Sequence, residues 1–160
     1  MFSTGDKVDK SLFVGVNDVV IEAIPQKILD VYRKLAKMNI PVKSYTLILD
    51  FNKAKEKVFD DKEKDESARL LRIVLAKLIQ KIAQINGINI LKENSQEEKT
   101  SSLNDRLKKE NILSQIEWEE NKTYFAIGNQ AAHGEYEEYN LEQVENFYKH
   151  IQTLLNKHNI

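Results

Sequence analysis

Apolar residues recur at steps of three and four along most of the chain beyond Pro25, a spacing that predicts amphipathic α-helices. The clearest pattern spans residues 67–86, and Gly87 follows it as a stop, because glycine accepts the left-handed conformation of a helix end. Apolar side chains on several sides of this helix predict that it lies at the centre of a helical bundle. Its main stripe contains Ala68, Leu71, Val74, Leu75, Leu78, Ile79 and Ile82, which Leu70 and Ile73 widen.

Two further helices are predicted before the central one. Pro25 suits a first helical position, and the apolar rhythm then continues over residues 25–38. Ser44 is expected to cap a second helix, whose apolar positions continue to Phe59. The charged run 60–66 contains no apolar residue to anchor it, so we predict a turn there.

A polar segment follows the central helix. Residues 88–101 are rich in Glu, Lys, Asn and Ser, and we predict a surface loop. Ser102 and Asp105, three residues apart, resemble a weakened capping box, which predicts a short helix over 103–110.

Two stronger capping boxes open the last two helices. Ser114 with Glu117 predicts the start of a helix that runs to His133, and Asn140 with Gln143 predicts the start of the final one. The final helix has an apolar stripe of Leu141, Val144, Phe147, Tyr148, Ile151, Leu154 and Leu155. Only 5 glycines and 2 prolines interrupt the chain, which favours long helices over a β fold with many turns.

The first 24 residues give the least clear pattern. The apolar, β-branched segments 12–16 and 19–21 are too short for periodicity to separate a strand or extended arm from a first helix. We therefore predict an arm or an additional element over 1–24. Residues 25–160 are predicted to form an all-α, up-and-down bundle of five or six helices.

Composition narrows the possible functions. The 160 residues include 24 basic and 25 acidic side chains, for a net charge of −1, unlike the basic surface of a duplex-DNA binder. The lack of cysteine excludes disulfides, thiolate zinc sites and a cysteine nucleophile, and the three histidines have no metal-site spacing. No apolar run reaches the roughly 20 residues that span a bilayer, and the start does not resemble an export signal. We expect a cytoplasmic protein without membrane contact.

The residues that carry candidate chemistry lie where the penultimate helix is predicted to end. Asn129 and His133 are four residues apart, so both are expected on one face of a buried helix end, and Gly134 stops the helix. The helix dipole acts on a histidine at this position, and Glu135 and Tyr136 could orient it. A histidine that serves only packing fits the same pattern, so both interpretations stay open.

Gly128 is unusual within a predicted helix. Glycine in a helix interior costs about 1 kcal/mol relative to alanine, so its presence indicates a close approach by another group. With Ala131 and Ala132 it makes a face of small residues. Either a neighbouring helix or a ligand could approach this face.

These features resemble the HEPN superfamily, in particular bacterial branches with a Gly-Asn-x-Ala-Ala-His helix end. The resemblance covers roughly residues 44–156 and depends on the long helix that contains 67–79, a loop with a short helix, a helix ending in 127–134, and a closing helix. It implies an all-α up-and-down bundle, a homodimer, and a place in toxin–antitoxin, phage-defence or RNA-processing systems.

The resemblance also implies a chemistry. Active HEPN proteins are metal-independent ribonucleases with an arginine, four to six residues, and then a histidine. The histidine serves as general acid/base and the arginine holds the scissile phosphate. By this resemblance, His133 takes the histidine's place and Asn129 that of a polar residue often found inside the motif, which makes these two the candidate catalytic residues.

The motif arginine is missing, because Ala126, Ile127 and Gly128 occupy the positions where it would stand. A charge from elsewhere in the fold could replace it. The candidate residues for binding RNA or a nucleotide are Arg69, Arg72, Lys122, Glu135 and Tyr136.

Three functions stay open. The first is a catalytically degenerate HEPN-like module that binds RNA, a nucleotide or a partner protein in a prokaryotic defence or stress system. The second is an active metal-independent endoribonuclease that combines His133 with an arginine from another helix. The third is a structural dimerisation domain, with His133 hydrogen-bonded inside the packing. None of them calls for a cofactor or a metal. The aromatic residues that could stack on bases, or else belong to the core or a dimer interface, are Trp118, Tyr124, Phe125 and Tyr136.

Overall fold

The structure, a computed structural model, describes residues 26–28, 30–31, 42–92 and 96–160. Its named helices are α1 (Val42–Lys55), α2 (Lys64–Ile85), α3 (Thr100–Lys109), α4 (Gln115–Ala132) and α5 (Leu141–Lys157). A π-helical turn, Glu56–Asp60, follows α1, and a 3₁₀ turn, Tyr136–Glu138, joins α4 to α5. The described residues contain no β-strand, only an isolated bridge between Leu91 and Glu97. The predicted all-α helical bundle is confirmed.

A boundary between two compact units falls between Thr46 and Leu47, and the second unit, residues 47–160, contains α2 to α5 and most of α1. Of the helix predicted over 25–38, residues 26–28 and 30–31 are helical, and the others lie outside the described residues. The element predicted over 1–24 also lies outside them. No described helix combines the length and the apolar character needed to cross a membrane.

Helix α2 is the central helix, as predicted, and it contacts α3, α4 and α5. Every residue of its main apolar stripe is fully buried. Ile73 was wrongly assigned to the core, because its side chain is 44% exposed. Burying apolar surface contributes roughly 25 cal/mol per Å², so this stripe is a major source of the stability of the bundle.

The start of α2 differs from the prediction. The helix begins at Lys64, three residues before Ser67, so the charged run is a turn only over its first residues. Polar contacts replace the missing apolar anchor: Lys64 Nζ donates to the Tyr136 carbonyl oxygen at 2.6 Å, and Asp65 Oδ1 accepts from the Tyr139 hydroxyl at 2.6 Å.

The capping boxes give a mixed result. Those at Ser114 and Asn140 are both formed, each with its two reciprocal hydrogen bonds. The caps predicted at Ser44 and Ser102 are wrong, since α1 begins at Val42 and α3 at Thr100. Ser102 lies inside α3, and its hydroxyl donates to Glu98 Oε1 at 2.8 Å.

Helix α4 ends as predicted. His133 is the C-cap, and Gly134 follows with a φ of 77°, where an L side chain is strained. The Glu135 amide donates to the Gln130 carbonyl at 2.9 Å and the Gly134 amide to that of Ala131 at 3.3 Å, the two bonds of a Schellman motif. The equivalent pair of bonds closes α2 at Gly87.

Stacked aromatic rings pack α5 against both α4 and α1. Tyr124 stacks on Phe147 with ring centroids 5.0 Å apart, and Phe51 stacks on Tyr148 at 4.4 Å. The predicted α5 stripe is buried except for Leu141, which is half-buried. Tyr124 is therefore half-buried and packs against the core.

Candidate functional site

An arginine from α2 lies against the glycine of α4. A Cβ atom added at Gly128 would stand 2.6 Å from Arg72 Cβ and 2.9 Å from its Cγ. The Arg72 stem thus passes over Gly128, and its Nε donates to Asn129 Oδ1 at 2.8 Å. Gly128 allows the two helices to approach closely, and the approaching side chain is a cation.

This arrangement brings together two residues that the sequence had singled out separately. Arg72 and Asn129 are both exposed, and the hydrogen bond holds one nitrogen of the guanidinium. Its two terminal nitrogens have no partner among the described residues. They are available to a phosphate, which the planar guanidinium binds through two parallel hydrogen bonds.

His133 lies one helical turn beyond Asn129. Its side chain is exposed, and among the described residues its imidazole has no hydrogen-bonding partner. The expectation of a buried helix end is therefore wrong at this residue: Gly128 and Ala131 are buried, but the last turn carries the imidazole to the surface. The described residues therefore do not show the alternative in which His133 is hydrogen-bonded inside the packing.

The turn after His133 is fixed to the start of α2. Arg69 lies over the Tyr136 ring at 5.7 Å, and Lys64 lies over the Tyr139 ring at 4.3 Å. Burial opposes ionisation of Asp65, but the hydrogen bond from Tyr139 and the Lys64 ammonium outweigh it and lower the pKa of that carboxyl. Burial and the neighbouring carboxylate raise the pKa of Tyr139. These contacts hold the turn that follows His133 against the start of α2.

The structure does not bring all candidates to one place. Glu135 is exposed, and its side chain has no partner among the described residues. Lys122 lies eleven residues before His133 on α4, about 16 Å away at roughly 1.5 Å per residue. Its Nζ is instead 4.3 Å from the centroid of the Trp118 ring.

A buried polar network joins α3, α4 and α5, and sequence reasoning missed it. Asn104 Nδ2 donates to the Trp118 carbonyl at 3.3 Å, and Asn121 Nδ2 donates to Asn104 Oδ1 at 2.9 Å. His150 Nε2 is 2.6 Å from Asn121 Oδ1, and its Nδ1 is 3.0 Å from Glu120 Oε2. Since Asn121 uses its amide on Asn104, its Oδ1 faces the imidazole, and the two ring nitrogens of His150 lie between this oxygen and the Glu120 carboxylate.

The pKa of His150 reflects its burial. Burial disfavours the charged imidazolium and lowers the pKa, and the Glu120 carboxylate opposes this shift without cancelling it. The sequence contained a signal for this burial, because His150 lies between Phe147 and Ile151 on the apolar stripe of α5. This network stabilises the helix packing and lies apart from the exposed His133.

The described residues contain no group of three or more His, Cys, Asp or Glu side chains that could hold a metal ion. Compared with known proteins, the chain matches no family model, no curated protein and no solved structure.

Proposed function

We propose that this protein binds the phosphate groups of RNA or of a nucleotide at a surface formed by Arg72, Asn129 and His133, the Arg72 site. The observation that carries the proposal is the hydrogen bond from Arg72 Nε to Asn129 Oδ1 at 2.8 Å over the bare backbone of Gly128. Because this hydrogen bond already restricts the Arg72 side chain, less conformational entropy is lost when its two terminal nitrogens bind a ligand.

The proposal keeps the HEPN-like interpretation and changes the source of the cation. In the motif suggested by the resemblance, the arginine would come from residues 126–128 of the same helix as His133. Here the Arg72 stem lies where a side chain at 128 would begin. An arginine from α2 thus takes the place of the missing motif arginine, and it is held by Asn129, one helical turn before the histidine.

A second candidate function is metal-independent endoribonuclease activity. Asn129 and His133 are four residues apart, about 6 Å along the helix axis. An imidazole that lies one helical turn from Asn129, the residue that holds the Arg72 guanidinium, gives a general acid/base and a phosphate-binding group on one surface. This pair can assist attack of a ribose 2′-hydroxyl on the adjacent phosphorus, with His133 accepting the hydroxyl proton. The bond from phosphorus to the 5′-oxygen breaks, the leaving 5′-oxygen takes a proton from water, and a 2′,3′-cyclic phosphate remains.

Binding is tested with fluorescently labelled single-stranded RNA and with AMP, titrated at one fixed low salt concentration. We expect Arg72→Ala to weaken binding at least about tenfold, since hydrogen bonds to charged groups contribute about 1.5–3 kcal/mol. Lys149→Ala, an exposed lysine on α5, is the matched control and keeps wild-type affinity. Wild-type affinity in the Arg72→Ala variant, or no binding by the wild-type protein, would overturn the proposal.

Cleavage is tested with the same RNA in the presence of a metal chelator. Loss of cleavage in His133→Ala, with unchanged thermal stability, would support the nuclease. Binding without cleavage by the wild-type protein would leave a non-catalytic binding module.

The proposal also includes a homodimer and a role beside a partner protein in a prokaryotic defence or stress system, which the HEPN resemblance implies. Light scattering of the purified protein measures the oligomeric state. A monomer at micromolar concentration would remove the dimer from the proposal and leave the Arg72 site unaffected.

A further inference from the structure

A second cationic site repeats the spacing of the first along α4. Trp118 and Lys122 are four residues apart, as Asn129 and His133 are. Trp118 lies eleven residues before Asn129, and Lys122 lies eleven residues before His133. Three turns of helix take about 10.8 residues, so both pairs lie on one face of α4. This face is solvent-accessible, since Trp118 is half-buried and the other three residues are exposed.

Two lysines meet at the tryptophan. Lys108 Nζ, from α3, is 4.1 Å from the centroid of the Trp118 ring, and Lys122 Nζ is 4.3 Å from it. The indole Nε1 donates to Asp105 Oδ1 at 2.7 Å, which fixes the ring. We call Lys108, Trp118 and Lys122 the tryptophan–lysine cluster. Asp105, Lys108, Lys109 and Trp118 line an open surface groove beside it.

The two ammonium groups place two positive charges at one tryptophan ring. Their nitrogens are no further apart than the sum of the two ring distances, 8.4 Å. Each ammonium can donate a charge-assisted hydrogen bond of about 2.8 Å to a phosphate oxygen of a bound strand, so the cluster offers two phosphate contacts. The Asp105 carboxylate offsets part of the positive charge, but Lys109 adds to it.

We infer that a single strand of RNA follows α4 from the tryptophan–lysine cluster to the Arg72 site, so that the ligand is an oligonucleotide and not a mononucleotide. The inference rests on the proposed function and names its substrate class. The two sites are about 16 Å apart along the helix, which corresponds to at most about five nucleotides at roughly 3.4 Å each. Cations beside an aromatic ring are typical of single-strand binding, and the near-neutral net charge is unlike that of duplex binders.

The test uses the fluorescence of Trp118, which is the only tryptophan of the chain. The full-length protein is titrated with UMP and with oligouridylates of increasing length. We expect the emission to change with the oligomers and not with UMP, and the affinity to rise with length to about five nucleotides and then level off.

The variant Lys108→Ala/Lys122→Ala should bind the long oligomer at least about tenfold more weakly. Its logarithmic salt dependence should be shallower by about 1.4, the value for two lost phosphate contacts on a single strand. Lys53→Ala/Lys149→Ala removes the same charge from exposed positions and should behave like the wild type. Circular dichroism confirms that each variant is folded.

The outcomes separate this inference from the proposed function. If binding depends on Arg72 but not on the two lysines, and the Trp118 emission is constant, the inference is overturned and the proposed function stands. If binding depends on the lysines and not on Arg72, the continuous path and the Arg72 site both fail. Tighter binding of duplex RNA than of single strands overturns the inference, and no binding of any RNA overturns both.

Discussion

Arg72 Nε donates a hydrogen bond to Asn129 Oδ1 at 2.8 Å, although 57 residues separate the two positions in the chain. The contact joins the central helix α2 to the last turn of α4, beside His133. It depends on Gly128, because any larger residue there would occupy the space of the Arg72 stem. One small residue therefore decides both how α2 packs on α4 and which cation stands near the histidine.

The contribution of this hydrogen bond to stability can be measured with a double-mutant cycle. For Arg72→Ala, Asn129→Ala and the double variant, we expect a coupling energy of about 0.5–1 kcal/mol from urea unfolding, because the pair is exposed. The exposed pair Gln115–Glu119, with a 2.6 Å hydrogen bond inside α4, is the control and should give about 0.2–0.5 kcal/mol. Strictly additive effects at Arg72 and Asn129 would mean that the contact is not formed in solution.

Gly128→Ala should destabilise the protein by about 1–3 kcal/mol, the cost of overpacking a core. Helix propensity alone would instead stabilise the variant by about 1 kcal/mol. The sign of the measured change in unfolding free energy therefore shows which of the two effects is larger. The clash at 2.6 Å is with Arg72 Cβ, which cannot move without the α2 backbone. Arg72→Ala should therefore not rescue the variant.

The control for Gly128→Ala is Ala126→Gly, at an exposed position of the same helix, which reports propensity without packing. Thermal unfolding gives both values, with about 2–4 °C expected for each kcal/mol in a chain of this size. A raised melting temperature for Gly128→Ala would show that α2 and α4 do not approach as closely as described.

Asn121→Ala should be among the most damaging polar substitutions. It would leave Asn104 Oδ1 and His150 Nε2 without their partners in the core, and each unsatisfied buried group costs about 1–3 kcal/mol. The exposed Asn156→Ala, on α5, should change the free energy of unfolding by less than about 0.5 kcal/mol. Equal effects for the two variants would contradict the buried network.

Stability should fall in two steps as the pH decreases. The pKa values of His150 and His158 are lowered by burial from 6.5, so the unfolded state binds more protons below that pH. The stability contribution of these neutral histidines is complete above about pH 6.5 and is lost as the pH falls through their folded pKa values. Among carboxylates with lowered pKa values, Glu98 and Glu117 add a further loss below their ordinary 4.5.

His150→Gln tests the first of these steps, because glutamine can donate to Asn121 but does not titrate. We expect the drop in unfolding free energy between about pH 7 and 5 to be smaller in this variant. Glu120→Gln should make the drop larger, since it removes the charge that opposes the lowered pKa of His150. The same drop in His150→Gln as in the wild type would exclude His150 as its source.

The sequence predicted those features whose interacting residues lie close together along the chain. The capping boxes at Ser114 and Asn140 and the stop at Gly134 were predicted because all their partners lie within a few residues. The weaker caps at Ser44 and Ser102 failed, because α1 begins at Val42 and α3 at Thr100, ahead of both serines. Existence and type of the helices followed from periodicity, but their exact starts did not.

The candidate site could not be assembled from the sequence, because its residues are distant from one another along the chain. Sequence marked Gly128, Asn129 and Arg72 separately, but only the packing of α2 on α4 could bring them together. The burial of His150 could have been predicted from its place on the apolar stripe of α5, but its partners Asn121 and Glu120 belong to another helix. Contacts between distant segments depend on helix orientation, which periodicity does not specify.

The four helices from α2 to α5 all end in the same paired hydrogen bonds, turned by Gly87, Asn111, Gly134 and Asn159, each with φ between 55° and 77°. Every one of these closures involves six consecutive residues and needs no contact from elsewhere in the chain. The bends after α2, α3 and α4 can thus form from local contacts on the microsecond scale of local structure. Because these bends need only local hydrogen bonds, they restrict the ways in which the helices can pack during folding.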